Sequence, residues 1–419
     1  MVNRVDIQHF LSFKRSPKSL WHCLKLIGRY AVDRLNHPRG TRLTVGNALI
    51  ARLATTALAK GVDLWLQATP EALIVEQGSV KGVQISRRGT THSVFARGGV
   101  VLAMGGVAAS AHAAEQRPST DSEHWSMSPP ANVGDGQRLA ASVNAAIGDN
   151  LASNFFWAPV SVLHKSDGSV ERFPHLVTDR AKPGVIAVNR AGRRFVNESN
   201  SYHCFVEAMF ANGGANAPCW LICDSEAMNN YGMGLARPRP VDNRALIDAG
   251  YLLRADSLGE LALIAGLEAN TLEQTVVQYN ADADQGVDRQ FGKGSTAYNR
   301  YMGDPLHQPN PCLKSLRKAP FYAVCLFTGD LGSARGLVTN GQANVLDRSG
   351  APIPGLYAAG NEMNSIMDGT YPGPGITLGP GITFGYLAAS DIAHRLDHSR
   401  AHPSHTGEQH VLRTAHLHD

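Results

Sequence analysis

A glycine-rich block near the C-terminus carries the residue types best suited to chemistry. A short apolar run at 355–359 ends in Gly360 and Asn361, and the turn at 371–375 leads to a segment typical of a helix from Leu378. In α/β folds, ligands bind at the carboxyl ends of strands. A helix N-terminus adds free N–H donors and partial positive charge, and glycine lets the backbone approach a planar ring. The block therefore predicts a site for a flavin ring, whose anionic reduced form such a helix end would stabilise.

Two stretches of α/β-like sequence must position this block. The first, 40–106, predicts a helix, a strand, a hairpin and a further strand. The second, 336–395, predicts two strands and a closing helix. The ranges are 47–60 (helix, ended by Gly61), 63–68 (strand), 71–75 and 80–85 (hairpin joined at Gln77-Gly78-Ser79), 99–103 (apolar strand expected to be buried on both faces), 343–346 and 355–359 (strands), and 382–396 (helix).

The sequence between these stretches has a different character. Residues 256–265 and 271–280 predict helices, whereas residues 282–301 are polar and predict a loop. Because α/β-like sequence lies on both sides of this middle part, we expect a nucleotide-binding domain that is interrupted by an inserted cap domain.

Composition and charge exclude several functional classes. The chain has 419 residues, enough for two domains, and its net charge of +4 is too weak to indicate nucleic-acid binding. It contains no run of 18 apolar residues that would predict a transmembrane helix. The six cysteines form no CxxC pair, so we expect free thiols in a reducing cytoplasm and no metal site. The tail from Asp397 holds six irregularly spaced histidines, and we expect disorder there.

The segment 11–36 allows two interpretations. Its lysines and arginines alternate with the apolar residues Leu20, Trp21, Leu24, Ile27 and Tyr30. This pattern is typical of an amphipathic helix that contacts a membrane surface, so peripheral membrane contact stays open. The same pattern fits a helix that packs on its own domain and exposes a basic face to water, and this second interpretation is the one that we expect.

Several motifs together resemble one family of flavoenzymes. The C-terminal block looks like the FAD-binding end of the fumarate reductase/succinate dehydrogenase flavoprotein superfamily, and its Tyr371-Pro372-Gly373-Pro374-Gly375 form is most similar to the 3-ketosteroid Δ1-dehydrogenases. The resemblance covers residues 20–395. It is also carried by Ala103-Met104-Gly105-Gly106, Gly134-Asp135-Gly136, Arg194-Phe195-Val196-Asn197-Glu198, Phe291-Gly292-Lys293-Gly294 with Tyr298 and Tyr301, Ala319-Pro320-Phe321-Tyr322-Ala323, and Gly329-Asp330-Leu331-Gly332.

The resemblance implies FAD as the cofactor and a role for each matching residue. Tyr202 matches the tyrosine that removes a proton from steroid C2 while hydride passes from C1 to flavin N5. Tyr371 and the backbone N–H of Gly375 match the two donors to the C3 carbonyl, which acidify the neighbouring C–H bond. Tyr202 needs a lowered pKa or a relay to act as this base. The implied FAD contacts are Gly105, Gly106, Asp135, Gly360, Asn361, Thr377 and Leu378.

The resemblance also implies the fold class: α/β, with an incomplete Rossmann-like FAD-binding domain interrupted by an inserted α+β substrate domain. We expect the FAD-binding domain at 1–160 and 331–396, the substrate domain at 161–330 and the tail at 397–419. No GxGxxG motif occurs in the first hundred residues. We therefore expect the segment that grips the FAD pyrophosphate to be missing, as in a truncated gene product or one half of a split enzyme.

Three alternatives to a Δ1-dehydrogenase stay open. A fumarate reductase needs cations for its dicarboxylate, but no Arg or Lys occurs between Phe195 and Ala236, which favours an apolar, steroid-like substrate. A ketosteroid Δ4-dehydrogenase would differ in the pose of its substrate. An inactive, truncated remnant is the third alternative. The sequence does not identify the electron acceptor.

Overall fold

The computed structural model describes residues 3–13, 16–149, 151–177 and 179–401, which contain eleven helices and fifteen strands. The helices are α1 (Arg4–Ser12), α2 (Pro17–Asn36), α3 (Val45–Ala59), α4 (Asp135–Ala141), α5 (Tyr202–Gly214), α6 (Ser225–Tyr231), α7 (Arg244–Asp248), α8 (Leu258–Ala265), α9 (Ala269–Asp284), α10 (Ala297–Met302) and α11 (Leu378–Ala401). The strands are β1 (Ala68–Glu76), β2 (Ser79–Arg87), β3 (Thr90–Phe95), β4 (Val100–Leu102), β5 (His124–Ser126), β6 (Phe155–Trp157), β7 (Val160–His164), β8 (Val170–Pro174), β9 (Val185–Val188), β10 (Cys219–Cys223), β11 (Leu253–Ala255), β12 (Phe321–Leu326), β13 (Thr328–Ser333), β14 (Asn344–Leu346) and β15 (Pro352–Ala358).

An antiparallel sheet in the order β11-β12-β10-β9 forms the centre of the middle part of the chain. Strand β10 is apolar and buried along its whole length, because successive side chains point to opposite faces and both faces are covered. Leu221 packs in a core with Phe205 of α5, whereas Ile222 packs in a second core with Leu261 of α8 and Leu272 of α9. This central sheet therefore provides the rigid support for the start of α5.

A second sheet brings together parts of the chain that lie on either side of the middle. Its order is β14-β15-β4, and β15 runs parallel to β4 with Leu356 opposite Val100. The meander β1-β2-β3 lies against it, so closely that a Cβ at Gly355 would be 2.2 Å from the carbonyl oxygen of Val80. A third sheet, β5-β13-β6, and the hairpin β7-β8 complete the strands.

Most of the predicted elements are confirmed. The helix predicted at 47–60 is α3, and the hairpin at 71–85 is β1–β2. Its turn residues, Gln77 and Gly78, have φ values of 47° and 75°, as the tight turns that match strand twist require. The predictions at 256–265, 271–280, 343–346, 355–359 and 382–396 correspond to α8, α9, β14, β15 and α11.

Three predicted elements are wrong in whole or in part. Residues 63–67 form no strand, and Leu64 is 68% exposed. The run at 99–103 gives only the short strand β4, in which Val101 is 40% exposed. Strand β4 lies at the edge of its sheet, and an edge strand has a neighbour on one side only, so an apolar sequence alone does not bury it. The polar stretch 282–301 is not entirely a loop, because it contains the start of α10, capped by the Thr296 side chain.

The expectation that α2 packs its apolar face on its own domain is also wrong. The buried residues of α2 are Ser19 and Cys23, whereas Trp21 is 68% exposed. The side of α2 that faces α1 carries both polar and apolar residues, among them Ser19 and Cys23. His22 lies 2.8 Å from the buried Asp6 carboxylate, which Arg42 also contacts at 2.6 Å. The opposite side of α2 is exposed in this structure.

No helix within the described ranges combines the length and the apolar character that crossing a bilayer requires. Helix α11 continues to Ala401, so it includes the first residues of the predicted tail. Residues 402–419, which carry most of the tail's histidines, lie outside the described residues. The domain boundaries stay a prediction.

Candidate active site and cofactor cleft

Two buried tyrosines from distant parts of the chain meet in one apolar cluster. Tyr202 is the first residue of α5, whose N-cap Ser201 accepts a hydrogen bond from the N–H of Cys204 at 3.2 Å. Tyr371 lies in the turn that precedes α11. The ring centroids of Tyr202 and Tyr371 are 4.9 Å apart, and the residues are 1% and 6% exposed. The ring of Phe156 packs edge-on against Tyr371 at 5.4 Å. The two tyrosines that the sequence singled out are therefore neighbours.

Burial raises the pKa of Tyr202 well above its usual value, and the neighbouring Tyr371 adds to this rise. The positive charge of Arg180 acts in the opposite direction and lowers the pKa of Tyr202. Burial also raises the pKa of Tyr371, although its interaction with Tyr202 lowers it. Both tyrosines are therefore neutral near neutral pH. For Tyr202 to act as a base, a further positive charge at the site must lower its pKa, or a relay must take up the proton.

Arg180 is a buried cation that no pattern in the sequence singled out. Its guanidinium donates to backbone carbonyls and not to a carboxylate, and its carbon atom lies 5.0 Å from the centre of the Phe205 ring on α5. Its acceptors are the carbonyls of His175 (2.8 Å), Leu176 (3.1 Å), Glu198 (2.9 Å) and Asn200 (3.2 Å). Arg180 therefore holds the segment before Tyr202 in place and adds a positive charge that acts on Tyr202 and Tyr298.

A buried ion network fixes the same segment from the other side. Arg194 donates to both carboxylate oxygens of Glu198, each at 2.8 Å, and to both oxygens of Asp288, at 3.1 and 2.9 Å. The ammonium of Lys293 lies 3.6 Å from Glu198, which also accepts the N–H of Ala187. Burial acts to raise the pKa of Glu198, but the charges of Arg194 and Lys293 hold it below its usual value, whereas burial lowers the pKa of Lys293.

Asn197 and Asn299 join the network to the start of α5. The side chain of Asn197 donates to the Asn299 side chain at 3.0 Å, and Asn299 donates to the carbonyl of Ser199 at 3.0 Å. The two motifs of the middle region, at 194–198 and 291–294, therefore work as a clamp on the segment that leads to Tyr202.

A third tyrosine, Tyr298, lies within electrostatic reach of the pair. Its hydroxyl is buried and has no hydrogen-bond partner among the described residues. Burial raises the pKa of Tyr298, and Arg180 lowers it. The sequence indicated Tyr298 only as part of a family motif, because nothing in its spacing relates it to Tyr202.

A small, open cleft lies beside the tyrosine cluster. Phe156 and Ile376 belong to both the cleft and the cluster, so the two sites share a wall. The backbones of Gly360 and Gly381 pack closely against each other, and a Cβ at Gly381 would lie 3.4 Å from the Cα of Gly360. Of the predicted cofactor residues, the cleft is lined by Gly360, Asn361 and Thr377.

The turn into α11 presents free backbone donors. The N–H groups of Gly375, Thr377 and Leu378 make no hydrogen bond to any described residue. Gly375 has φ of 107°, a conformation that favours glycine, and its carbonyl accepts the N–H of Gly379 at 2.7 Å. Free donors at a helix N-terminus are suited to a negatively charged or carbonyl-bearing group.

Gly105, Gly106 and Asp135, three further predicted cofactor residues, are not among the residues that line the cleft. Gly105 and Gly106 have φ of 88° and 80°, and a Cβ at Gly106 would lie 2.5 Å from the carbonyl oxygen of Asn361. The N–H of Gly106 donates to the carboxylate of Glu362 at 3.2 Å. Asp135 begins α4 after Gly134 and pairs with Arg138, 3.1 Å away. The sequence analysis did not select Glu362, whose pKa is raised by burial.

These residues fit one face and one edge of a flavin ring. A planar ring needs close backbone approach, apolar contact and donors at its polar edge. Gly360, which lines the cleft, allows the close approach of the backbone, and Phe156 and Ile376 offer apolar contact. The N–H groups in the turn into α11 offer the donors.

Comparisons with known proteins agree with this geometry. The sequence matches the family described as FAD binding domain over residues 3–378. It is 36% identical over 397 residues to a 4-oxocyclohex-2-ene-1-carboxylate 5-dehydrogenase of Sinomonas cyclohexanicum, covering 93% of this chain and 66% of that protein. It is 35% identical over 410 residues to a 3-oxosteroid 1-dehydrogenase of Mycolicibacterium smegmatis, covering 94% of this chain and 70% of that protein.

A similar crystal structure is that of a 3-ketosteroid delta1-dehydrogenase from Sterolibacterium denitrificans in complex with 1,4-androstadiene-3,17-dione. The TM-score is 0.85 and the identity 37%, over 94% of this chain and 71% of that one. The chain thus spans 66% and 70% of the lengths of the two sequence relatives.

Proposed function

This chain belongs to the FAD binding domain family of flavin-dependent oxidoreductases acting on CH–CH groups, with the α/β fold of the ketosteroid dehydrogenases, and on this premise we propose that it dehydrogenates a ring carbon pair beside a ketone. The relatives are named for reactions of this class, on a 3-oxosteroid and on an oxocyclohexene carboxylate. The single observation that supports the proposal best is the contact between Tyr202 and Tyr371, at 4.9 Å, beside the cleft that suits a flavin.

Tyr371 and Gly375 are proposed to hold the ketone oxygen. The Tyr371 hydroxyl and the unpaired N–H of Gly375 both belong to the turn before α11, so one carbonyl oxygen could accept from both. Negative charge develops on that oxygen as a proton leaves the neighbouring carbon, and two fixed donors stabilise it. The remaining site wall is apolar, which excludes water from the developing charge.

Tyr202 is proposed to take the proton from the carbon next to the carbonyl. Its ring is fixed at the start of α5 by the Ser201 cap and by the clamp on the preceding segment. Because burial raises its pKa, Tyr202 depends on the charge of Arg180 and on the polarised ketone to accept a proton. FAD, when bound, supplies the two-electron acceptor for the hydride that leaves the adjacent carbon.

A neutral ring ketone suits this site better than a dicarboxylate. Arg180 is the cation that acts on Tyr202, and it uses four hydrogen bonds on backbone carbonyls, so it is not free to clamp a carboxylate in the bidentate manner. The cluster around the tyrosines is formed by apolar side chains, among them Leu151, Leu176, Leu331 and Met367. We therefore propose a 3-ketosteroid or a smaller cyclic ketone as the substrate, with C1–C2 desaturation as the reaction.

The test is turnover with an artificial electron acceptor. The purified chain is incubated with FAD, 4-androstene-3,17-dione and a redox dye, and a cyclohexenone carboxylate is tested in parallel. We expect dye reduction with at least one ketone and a loss of about 10²-fold or more in kcat for Tyr371→Phe. Tyr386→Phe, at an exposed tyrosine of α11, is the matched control and should keep the wild-type rate. Retention of FAD without turnover on either ketone would contradict the proposed reaction.

A further inference from the structure

Four buried side chains form a row of hydrogen bonds beside Arg180, here called the His175 network. Nδ1 of His175 lies 2.6 Å from the Asp179 carboxylate, and Nε2 lies 2.7 Å from the hydroxyl of Ser161 on β7. The Ser161 hydroxyl lies 2.6 Å from the hydroxyl of Tyr251. All four residues are at most 6% exposed, so the network belongs to the interior of the protein.

Two neighbouring backbone N–H groups complete the His175 network. Gly234 donates to the Asp179 carboxylate and Leu235 donates to the Tyr251 hydroxyl, each at 3.0 Å. Burial acts to raise the pKa of Asp179, but His175 and the Gly234 N–H group lower it to about 2. Asp179 is therefore a carboxylate anion at neutral pH, although it is buried.

An acid, a histidine and a serine in this order also occur in hydrolases that use a serine nucleophile. In this chain, however, Ser161 is fully buried, and its hydroxyl lies between His175 and Tyr251. A substrate carbonyl would have to displace Tyr251 from a closed core to reach the Ser161 oxygen. The His175 network is therefore not explained as a site of covalent catalysis.

The His175 network is joined to Arg180 at two points. Nε of Arg180 donates to the carbonyl of His175 at 2.8 Å, and the backbone N–H of Arg180 donates to the Asp179 carboxylate at 2.9 Å. Burial acts to lower the pKa of Arg180, and the negative charge of Asp179 acts to raise it. Asp179 is thus the nearby anion that helps Arg180 to stay charged in the interior.

The guanidinium of Arg180 nevertheless bonds to the backbone carbonyls of Glu198 and Asn200, at 2.9 and 3.2 Å. An arginine normally forms its stronger hydrogen bonds with a carboxylate. The Asp179 carboxylate already accepts from the imidazole of His175 and from two backbone N–H groups. The carbonyls of the segment before Tyr202 are the acceptors that the guanidinium uses instead.

We propose that His175 and Asp179 are positioning residues for Tyr202, because they keep the Arg180 guanidinium on the carbonyls of residues 198 and 200. Without His175, the Asp179 carboxylate gains free acceptor positions and forms a charged pair with Arg180. The positive charge then moves away from the segment that leads to Tyr202. This inference rests on the proposed function and deepens it, since it names the residues that adjust the base.

Hydrogen exchange at Arg180 tests the positioning without any turnover. The full chain is labelled with ¹⁵N-arginine and mixed with FAD, and the Nε–H signal of Arg180 is identified by its absence in Arg180→Lys. We expect this proton to exchange about tenfold faster or more in His175→Gln. His124→Gln is the matched control, because His124 also contacts a buried carboxylate, that of Asp330, at 2.7 Å. The control should leave the exchange of the Arg180 proton unchanged.

The pH profile of turnover tests the consequence for Tyr202. The charge of Arg180 lowers the pKa of Tyr202, so a displaced guanidinium raises that pKa and moves the rising limb of kcat to higher pH. In His175→Gln we expect kcat on this limb to fall about threefold. His175→Gln combined with Arg180→Gln should shift the limb no further than Arg180→Gln alone, because both act through one guanidinium. The other groups that act on Arg180 or Tyr202 are kept in His175→Gln: Asp179, Glu198, Tyr298 and Tyr371.

Ser161→Ala is a milder second variant, which serves if far-UV circular dichroism shows that His175→Gln does not fold. It removes one hydrogen bond of the network and should change exchange and pH profile in the same direction, by less. The inference is overturned if the folded variants leave both measurements unchanged, or if His124→Gln changes them equally. Absence of turnover in the wild type would contradict the proposed function instead, and the exchange measurement would still decide whether the network holds Arg180.

Discussion

The segment that leads to Tyr202 and the helices at the start of the chain place polar and apolar groups in opposite ways. Arg194, Glu198 and Lys293 are at most 5% exposed although they are charged. In contrast, Leu35 of α2 is 81% exposed, and α3 has no buried residue although most of its residues are apolar. A buried polar network therefore supports Tyr202 together with the apolar core beneath α5, whereas α2 and α3 bury little apolar surface among the described residues.

The largest effect is expected from removing the cation of the buried network. Arg194→Met leaves the carboxylates of Glu198 and Asp288 buried without their main partner, so the free energy of unfolding should fall by about 3–5 kcal/mol. Urea unfolding measures this change. Arg244→Met is the control, because Arg244 pairs with Asp242 at the surface with its side chain 84% exposed. The control should change stability by less than about 0.5 kcal/mol. Equal effects of the two variants would contradict the role given to the network.

The next largest loss of stability is expected at a buried leucine, and an exposed leucine provides the comparison. Leu252 is fully buried in the core beneath α5, and Leu252→Ala should lower the free energy of unfolding by about 2–5 kcal/mol. Leu35→Ala, at an exposed position of α2, should change the free energy of unfolding by less than about 0.5 kcal/mol. The same urea titration measures both variants. A large loss for Leu35→Ala would mean that α2 is buried in solution and would remove the contrast between the two regions.

The smallest effect concerns the charge of Arg180. In the proposed mechanism Tyr202 acts as the base when it is deprotonated, and burial raises its pKa, so kcat should rise with pH. Arg180→Gln removes a charge that lowers this pKa, so the rising limb of the kcat profile should move to higher pH by about one unit, equal to ~1.4 kcal/mol. Arg180→Lys keeps the charge and should leave the limb near its original position. If both variants lower kcat equally at every pH, Arg180 only supports the backbone.

Much of the fold could be predicted from local patterns. The turn at Gln77 and Gly78 and the apolar period of α3 are local properties, so the hairpin and the helix were predicted correctly. Burial could not be predicted in the same way. The exposure of Val101 in β4, and of the apolar residues of α2, depends on which other elements pack against them. The local sequence around a residue does not contain that information.

The candidate site was predictable where glycine and tyrosine occur in a distinctive motif, as at Tyr371 and Gly375. The partners of Tyr202 were not. The Arg180 side chain donates to the carbonyls of Glu198 and Asn200, in the segment before Tyr202. Tyr298, which interacts electrostatically with Tyr202, belongs to α10. An arginine that bonds backbone carbonyls leaves no periodic signal in the sequence, so only the three-dimensional structure identifies it.

Proton exchange at the carbon beside the ketone separates the action of Tyr202 from the later hydride step. The FAD-loaded chain is mixed with the ketone in D₂O without an electron acceptor, and deuterium uptake is followed by NMR. We expect uptake with the wild type, a rate about 10²–10⁴-fold lower with Tyr202→Phe, and an unchanged rate with Tyr386→Phe. Uptake at the wild-type rate in Tyr202→Phe would contradict the assignment of Tyr202 as the base.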